Sequence, residues 1–140
     1  MASKILVKDL MSTDVEKFEN YTTVDVIVKA MSYKDKNYVM VEQSGIPTGI
    51  ITTRDIIVRM LTQGLDPTIK IAREIYTNPL VVIEKTETVE EAAKLMQHWQ
   101  IKHLPVTDKG KLVGMITYLD IAFNVPALLP AMKKLYTQSN

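Results

Sequence analysis

The chain has no cysteine among its 140 residues. That excludes a disulfide framework, a thiolate metal site and a thiol nucleophile, and it suits a reducing compartment. Its two histidines, His98 and His103, straddle a helix-to-strand junction at a spacing that does not present a facing metal pair, so no metal site is expected. Charge of one sign is also missing. Against 17 basic residues stand 16 acidic ones, and a net +1 provides no field to gather nucleic acid or an anionic membrane. No apolar run approaches the roughly 18 to 20 residues needed to span a bilayer. The start MASKILVKDL lacks a signal-peptide core and cleavage site. A soluble, cytoplasmic chain with neither nucleic acid nor membrane as partner is expected. Absent too are GxxxxGK(S/T) and GxGxxG, which removes P-loop and Rossmann readings. With no positioned acid–base pair, activated nucleophile or metal cluster, the chain is not expected to be an enzyme.

What is present is a duplication. A 46% apolar share is enough to build one core, so residues 1–140 read as a single module. Sliding the sequence along itself lays Asp9–Ile56 on Glu74–Ile121 without a gap. Identities under this shift include Glu19 with Glu84, Thr23 with Thr88, Met31 with Met96, Gly45 with Gly110, Gly49 with Gly114, Thr52 with Thr117 and Asp55 with Asp120. A unit written only twice points to two halves packed about a pseudo-twofold axis, with a cleft between them, and not to an extended solenoid. The repeats are placed at 8–64 and 72–123, with a C-terminal tail at 124–140.

Each copy reads as strand, helix, strand, strand, helix. Val24, Ile27, Val28 and Met31, and their counterparts Val89, Ala92, Ala93 and Met96, recur at helical spacing. Thr88 with Glu91 forms a capping-box pattern, whereas Thr23 caps without a reciprocal carboxylate. β-rich runs at Tyr38–Val41 and Thr48–Ile51, and at His103–Val106 and Leu112–Ile116, flank Gly45 and Gly110 and predict hairpins. Extended segments are expected at Val15–Phe18 and Leu80–Ile83. The second helix of the first copy should stop near Gly64, before Asp66-Pro67. The class is α/β (α+β), two β-α-β-β-α repeats. In the tail, Pro126 and Pro130 prevent one long helix, Asn124 is a candidate cap, and Ala127, Leu128, Ala131, Met132 and Leu135 give an apolar side. That side is expected to fold back on the module, the other reading being contact with a second subunit. Met31, Met60 and Met96 read as core, and Trp99 as core or interface.

The sharpest shared element is GIITTRD at Gly49–Asp55 and GMITYLD at Gly114–Asp120, a strand entering a helix through Thr-x-x-Asp. Structurally this is a capping box. Chemically, the free N–H groups of a helix start attract an anion such as phosphate, and a carboxylate one turn in matches the two donors of a ribose 2′,3′ diol.

That motif, preceded by a hairpin strand reading KHLPVTDKG and by the entry TNPLVVIEKTETVEEAAKLM, resembles the CBS (cystathionine-β-synthase-type) repeat over roughly Lys8 to Phe123. The resemblance implies a regulatory module whose paired clefts accept AMP, ADP, ATP or S-adenosylmethionine, with no cofactor, commonly as a homodimer and acting on a regulated partner protein. Carried over, it makes Asp55 and Asp120 the ribose binders, with Thr52 and Thr117 near ribose or phosphate. Lys102 and His103 stand where AMP-sensing members hold the phosphate. The adenine is expected among apolar residues from Val15, Leu80 or Val81. In the first copy Asn37 and Tyr38 replace the basic pair, and Arg54, opposite Leu119, is a compensating phosphate ligand. The plain structural alternatives are a solvated edge lysine at Lys102, a half-buried supporting histidine at His103 and a surface arginine at Arg54. A rival of another class is a ligand-free scaffold that dimerises or docks onto an enzyme or transporter.

Overall fold

A continuous buried run and a two-residue turn build the same hairpin in each copy. β2 (Tyr38–Gln43) pairs antiparallel with β3 (Ile46–Thr52), and β5 (His103–Asp108) with β6 (Lys111–Thr117). The turns are Ser44-Gly45 and Lys109-Gly110, with φ of 52° and 86°, and of 53° and 83°. Two positive φ values in succession define the type I′ turn, whose twist matches that of the strands it joins. The strands run further toward the turn than the β-rich runs suggest, because pairing continues through Glu42 and Gln43, and through Thr107 and Asp108, past a bulge in each hairpin.

The structure, a computed structural model, describes residues 4–76 and 80–137. Thr77–Pro79 of the second copy's entry and the last three residues of the tail lie outside them. Packing divides the chain into two units. Val15–Leu80 forms one, here the first-repeat unit, and Met1–Asp14 with Val81–Asn140 forms the other, the second-repeat unit. Each contains one three-stranded sheet and its helices, a mixed α+β architecture. β1 (Lys17–Glu19) lies parallel to β2, and β4 (Ile83–Glu84) parallel to β5. Both begin later than the expected Val15 and Leu80, although the Glu16 carbonyl, just ahead of β1, still accepts from the Met40 N–H at 2.8 Å.

The identity of Glu19 and Glu84 has a direct cause. The Glu84 carboxylate accepts from the turn N–H of Lys109 at 2.9 Å and from the Thr107 hydroxyl at 3.1 Å. Glu19 accepts from the turn N–H of Ser44 at 3.3 and 3.4 Å. One carboxylate per repeat thus ties the parallel strand to the hairpin turn.

The helices bury the stripe that the periodicity assigns. α2 (Val24–Lys34) buries Val24, Ile27 and Met31, and α4 (Val89–Trp99) buries Val89, Ala92, Ala93 and Met96. Thr88 accepts from the Glu91 N–H at 3.2 Å, but the reciprocal half of the expected box is not formed, and Glu91 instead faces Lys94 at 3.5 Å. Thr23 makes no side-chain cap bond. The carbonyls of Lys70 and Pro67 take the N–H groups of Val24 and Asp25, each at 2.9 Å, so the linker caps α2.

The N-terminal segment belongs to the second-repeat unit. α1 (Val7–Leu10) donates from Val7 to the Glu87 carbonyl and from Lys8 to that of Lys85. Beyond it Ser12 and Met115 exchange N–H···O bonds of 2.8 and 2.9 Å. Gly114 permits this approach, because a Cβ there would sit 2.7 Å from the Ser12 carbonyl oxygen. Gly49 holds the matching place in the first-repeat unit, under the ring of Tyr76.

α3 (Thr53–Asp55) continues as a π-helix over Ile56–Leu61, capped by Thr62 and followed by a turn in which Gly64 has φ 64°. α5 (Tyr118–Asn124) is a regular helix. Asn124 is its last residue and donates its side-chain amide to the Asp120 carbonyl at 2.7 Å, so it closes α5 and does not cap a new helix. A 3₁₀ turn at Pro126–Leu128 leads into α6 (Leu129–Thr137), whose Met132 and Leu135 are buried in the core formed by α4, α5 and the sheet. The tail folds back, with Leu128 and Ala131 flanking that core and Ala127 exposed. Met31, Met60 and Met96 are core, while Trp99 is half exposed and edge-on to His98.

Two consequences are measurable by denaturant unfolding. Met132→Ala should cost about 2–4 kcal/mol through the cavity it leaves, whereas Tyr136→Ala, at an exposed position of the same helix, should change stability by no more than about 0.5 kcal/mol. Glu84→Ala should cost about 1 kcal/mol, since it strips an acceptor from the Lys109 turn.

Candidate functional site

In both copies the strand after the hairpin turn ends in a threonine that leaves the sheet and caps the next helix. Thr52 (φ −109°, ψ 167°) and Thr117 (φ −112°, ψ 163°) are extended, and their hydroxyls accept from the N–H of Asp55 and Asp120, each at 3.3 Å. The aspartates answer. Asp55 Oδ2 accepts from the Thr52 N–H at 2.9 Å, and Asp120 Oδ2 from the Thr117 N–H at 2.8 Å. Both capping boxes are therefore complete, each using one carboxylate oxygen. The helices they start are short: three residues before a π segment in the first copy and seven in the second. The helix dipole has little length over which to build, so the carboxylates and neighbouring cations carry most of any electrostatic recognition here.

Hairpin register decides what surrounds each box. His103 pairs with Thr117 across β5 and β6, and the Tyr118 N–H donates to the Lys102 carbonyl at 3.0 Å. Lys102, His103, Thr117 and Asp120 thus share one end of one sheet. The Lys102 ammonium lies 5.7 Å from the Tyr118 ring centroid, within cation–π range. Burial pushes the His103 imidazole down from 6.5 to about 4; adjacent Lys102 adds to the effect and Asp120 opposes it. His103 is therefore neutral at pH 7.

In the first copy Tyr38 pairs with Thr52, and the Asn37 carbonyl accepts from the N–H and the hydroxyl of Thr53 at 3.0 and 3.3 Å. Tyr38 is buried and Arg54 exposed. An open groove of about 640 Å³ beside this turn is lined by Val28, Met31, Ser32, Asp35, Lys36, Asn37, Thr53 and Ile56. It takes in Asn37 but neither Thr52 nor Asp55. Of the residues expected near adenine, half-buried Val15 and Leu80 fall in the first-repeat unit, and Val81 packs on the core of the second. Sequence reasoning missed Arg59, whose Nε stands 3.4 Å from Asp55 Oδ1. Its i+4 position was the available signal. Among the described residues no cluster of His, Asp and Glu is arranged to hold a metal ion, and no helix is long and apolar enough to cross a membrane.

The family model for the CBS domain matches twice, at residues 7–62 and 72–126. The chain belongs to the CBS-domain family. Over 81% of its length the chain is 35% identical to an uncharacterised protein of Methanopyrus kandleri, of which it spans only 58%. The CBS domain-containing protein YhcV of Bacillus subtilis is 31% identical over 84% of each chain. In fold, the CBS pair is similar to the CBS domain protein PAE2072 of Pyrobaculum aerophilum, solved in complex with AMP, with TM-score 0.79, 23% identity, and 92% and 99% of the two chains covered.

The depressed His103 pKa carries a stability signature. The unfolded chain takes up a proton near pH 6.5 that the folded chain resists until about pH 4, so this contribution is complete above pH 6.5 and is lost as pH falls through that window. Urea titrations of wild type and His103→Gln from pH 7.5 to 4 should show a wild-type slope steeper by up to about 1.4 kcal/mol per pH unit. Parallel curves would show that the imidazole is not held neutral.

Proposed function

We propose that this CBS pair is a regulatory module that binds an adenine nucleotide, AMP, ADP or ATP, and catalyses no reaction itself. The observation that carries the reading is the gathering of Thr117, Asp120, Lys102 and His103 at one sheet end: a carboxylate with acceptor capacity for a diol stands beside a cation for phosphate. A neutral His103 can donate to a phosphate oxygen without bringing a charge of its own. The AMP bound to the Pyrobaculum protein of the same fold supports the ligand class. In the first repeat, Thr52, Asp55 and Arg54 are the counterparts, with Asn37 and Tyr38 in place of the basic pair, and its phosphate contacts are correspondingly weaker. Val15, Leu80 and Val81 are assigned to adenine.

A mononucleotide has about 23 non-hydrogen atoms, which at about −0.3 kcal/mol each gives roughly −7 kcal/mol and a micromolar dissociation constant. Regulation requires more than occupancy. The nucleotide must bind one conformation more tightly than another, and the response passes to a homodimer partner or a regulated protein in the cytoplasm. The scaffold reading is favoured by one observation: Ile57, Val58 and Leu61 lie exposed on one helix, apolar surface suited to a protein contact.

A thermal-shift screen over adenine and guanine nucleotides should raise the melting temperature with AMP, ADP or ATP; no shift at millimolar concentration favours the scaffold. By calorimetry, Asp120→Ala should weaken AMP and adenosine alike. Lys102→Ala should weaken AMP about tenfold or more and adenosine little, with the AMP loss shrinking as salt rises. Equal losses for both ligands would remove Lys102 from the phosphate.

A further inference from the structure

The two Thr-x-x-Asp turns differ in what holds the second carboxylate oxygen. Asp55 is buried, 7% exposed, and is engaged on both sides. Oδ2 accepts from the Thr52 N–H and hydroxyl at 2.9 and 3.2 Å, and Oδ1 lies 3.4 Å from Arg59 Nε. The same guanidinium donates Nη1 to the Tyr76 carbonyl at 3.2 Å. It is therefore anchored at two points, on the carboxylate and on the segment that packs over Gly49. In the second repeat Asp120 is half-buried, Oδ2 accepts from the Thr117 N–H, and no Lys or Arg among the described residues forms an ion pair with it. The position matching Arg59 is Asn124, whose amide turns to the Asp120 backbone carbonyl and leaves the carboxylate alone.

Reading a ribose diol takes two acceptor positions on one carboxylate, one for each hydroxyl. A guanidinium paired with Oδ1 stands where one of the hydroxyls would have to reach, and the hydroxyl offers no charge to replace it. Burial of Asp55 reinforces the preference, because a carboxylate removed from water needs its cation more than an exposed one does. To bind ribose, the first repeat would have to release Arg59 from both its partners.

We infer that Arg59 closes the first repeat to ribose, so that the chain takes one nucleoside per chain, at Asp120. Arg59 is a specificity-determining residue that acts through Asp55 and touches no ligand itself. The inference rests on the nucleotide reading above and narrows it from a stronger and a weaker site to one open and one closed.

Calorimetric titration of the full chain with adenosine and with AMP tests it by stoichiometry. Wild type should bind one equivalent. R59N, which puts at this position the residue type of the other repeat, should bind two, the second within about tenfold of the first, and adding D55N to R59N should return the count to one. R59Q serves the same purpose if R59N does not fold, as checked by circular dichroism. A merely structural role for Arg59 would lower stability without adding a binding event that Asp55 controls. Wild type binding two equivalents, or both Arg59 variants folding and still binding one, overturns the inference while leaving the nucleotide reading in place. No binding by any of these proteins sinks the nucleotide reading and the inference together.

Discussion

A two-residue turn with both φ values positive gives a hairpin a single register, and the rest of each repeat hangs on that register. Because Ser44-Gly45 and Lys109-Gly110 are type I′, Gln43 must face Ile46 and Asp108 must face Lys111. The bulge then shifts the pairing once, so that β3 and β6 end with Thr52 opposite Tyr38 and Thr117 opposite His103. A slip of one residue would send every side chain to the other face of the sheet. It would part Thr-x-x-Asp from the strand entry and shift the turn N–H groups that Glu19 and Glu84 hold. The candidate site is in this sense a by-product of turn geometry.

On that common backbone the two copies carry different electrostatics. Lys102 and His103 flank Asp120 in the second, where a neutral Asn37 and a buried Tyr38 flank the first. Arg59 answers Asp55 within its own helix, while Asn124 answers only the Asp120 backbone. The backbone also diverges after the turn. Ile56–Leu61 is a π-helix, closed by bonds such as Thr62 N–H to the Ile57 carbonyl at 3.0 Å, and it leaves Ile57, Val58 and Leu61 exposed. In the second copy α5 stays α-helical and is covered by α6, whose Met132 and Leu135 complete the core. A duplicated backbone thus carries one outer helix left bare and one clothed by the tail.

The pattern of what was legible follows from the range of each interaction. Helical stripes, turn glycines and the Thr-x-x-Asp boxes are local, set within a few residues, and periodicity and duplication were enough to find them. The strands reach further into the turns and start later at the entries than their composition indicates, since pairing depends on the neighbouring strand, which one strand's composition does not record. The Thr88–Glu91 box formed only in half because Lys94 offered Glu91 a charged partner. Thr23 needed no carboxylate because linker carbonyls took the N–H groups instead. Asn124 closed one helix where it was expected to open another.

By itself the sequence determined the family, the α+β repeat, the core stripes and the residues placed at each strand-to-helix turn, because duplication displays the same local solution twice and chance does not. Only the tertiary structure decided that a segment through Asp14, which by sequence opens the first repeat, completes the second-repeat unit, that the tail covers α4 and α5, and that Arg59 reaches both Asp55 and the Tyr76 carbonyl. Those outcomes depend on segments distant in the chain meeting at particular side chains. A linear pattern fixes which face of an element is apolar, but which distant group arrives there is settled by packing.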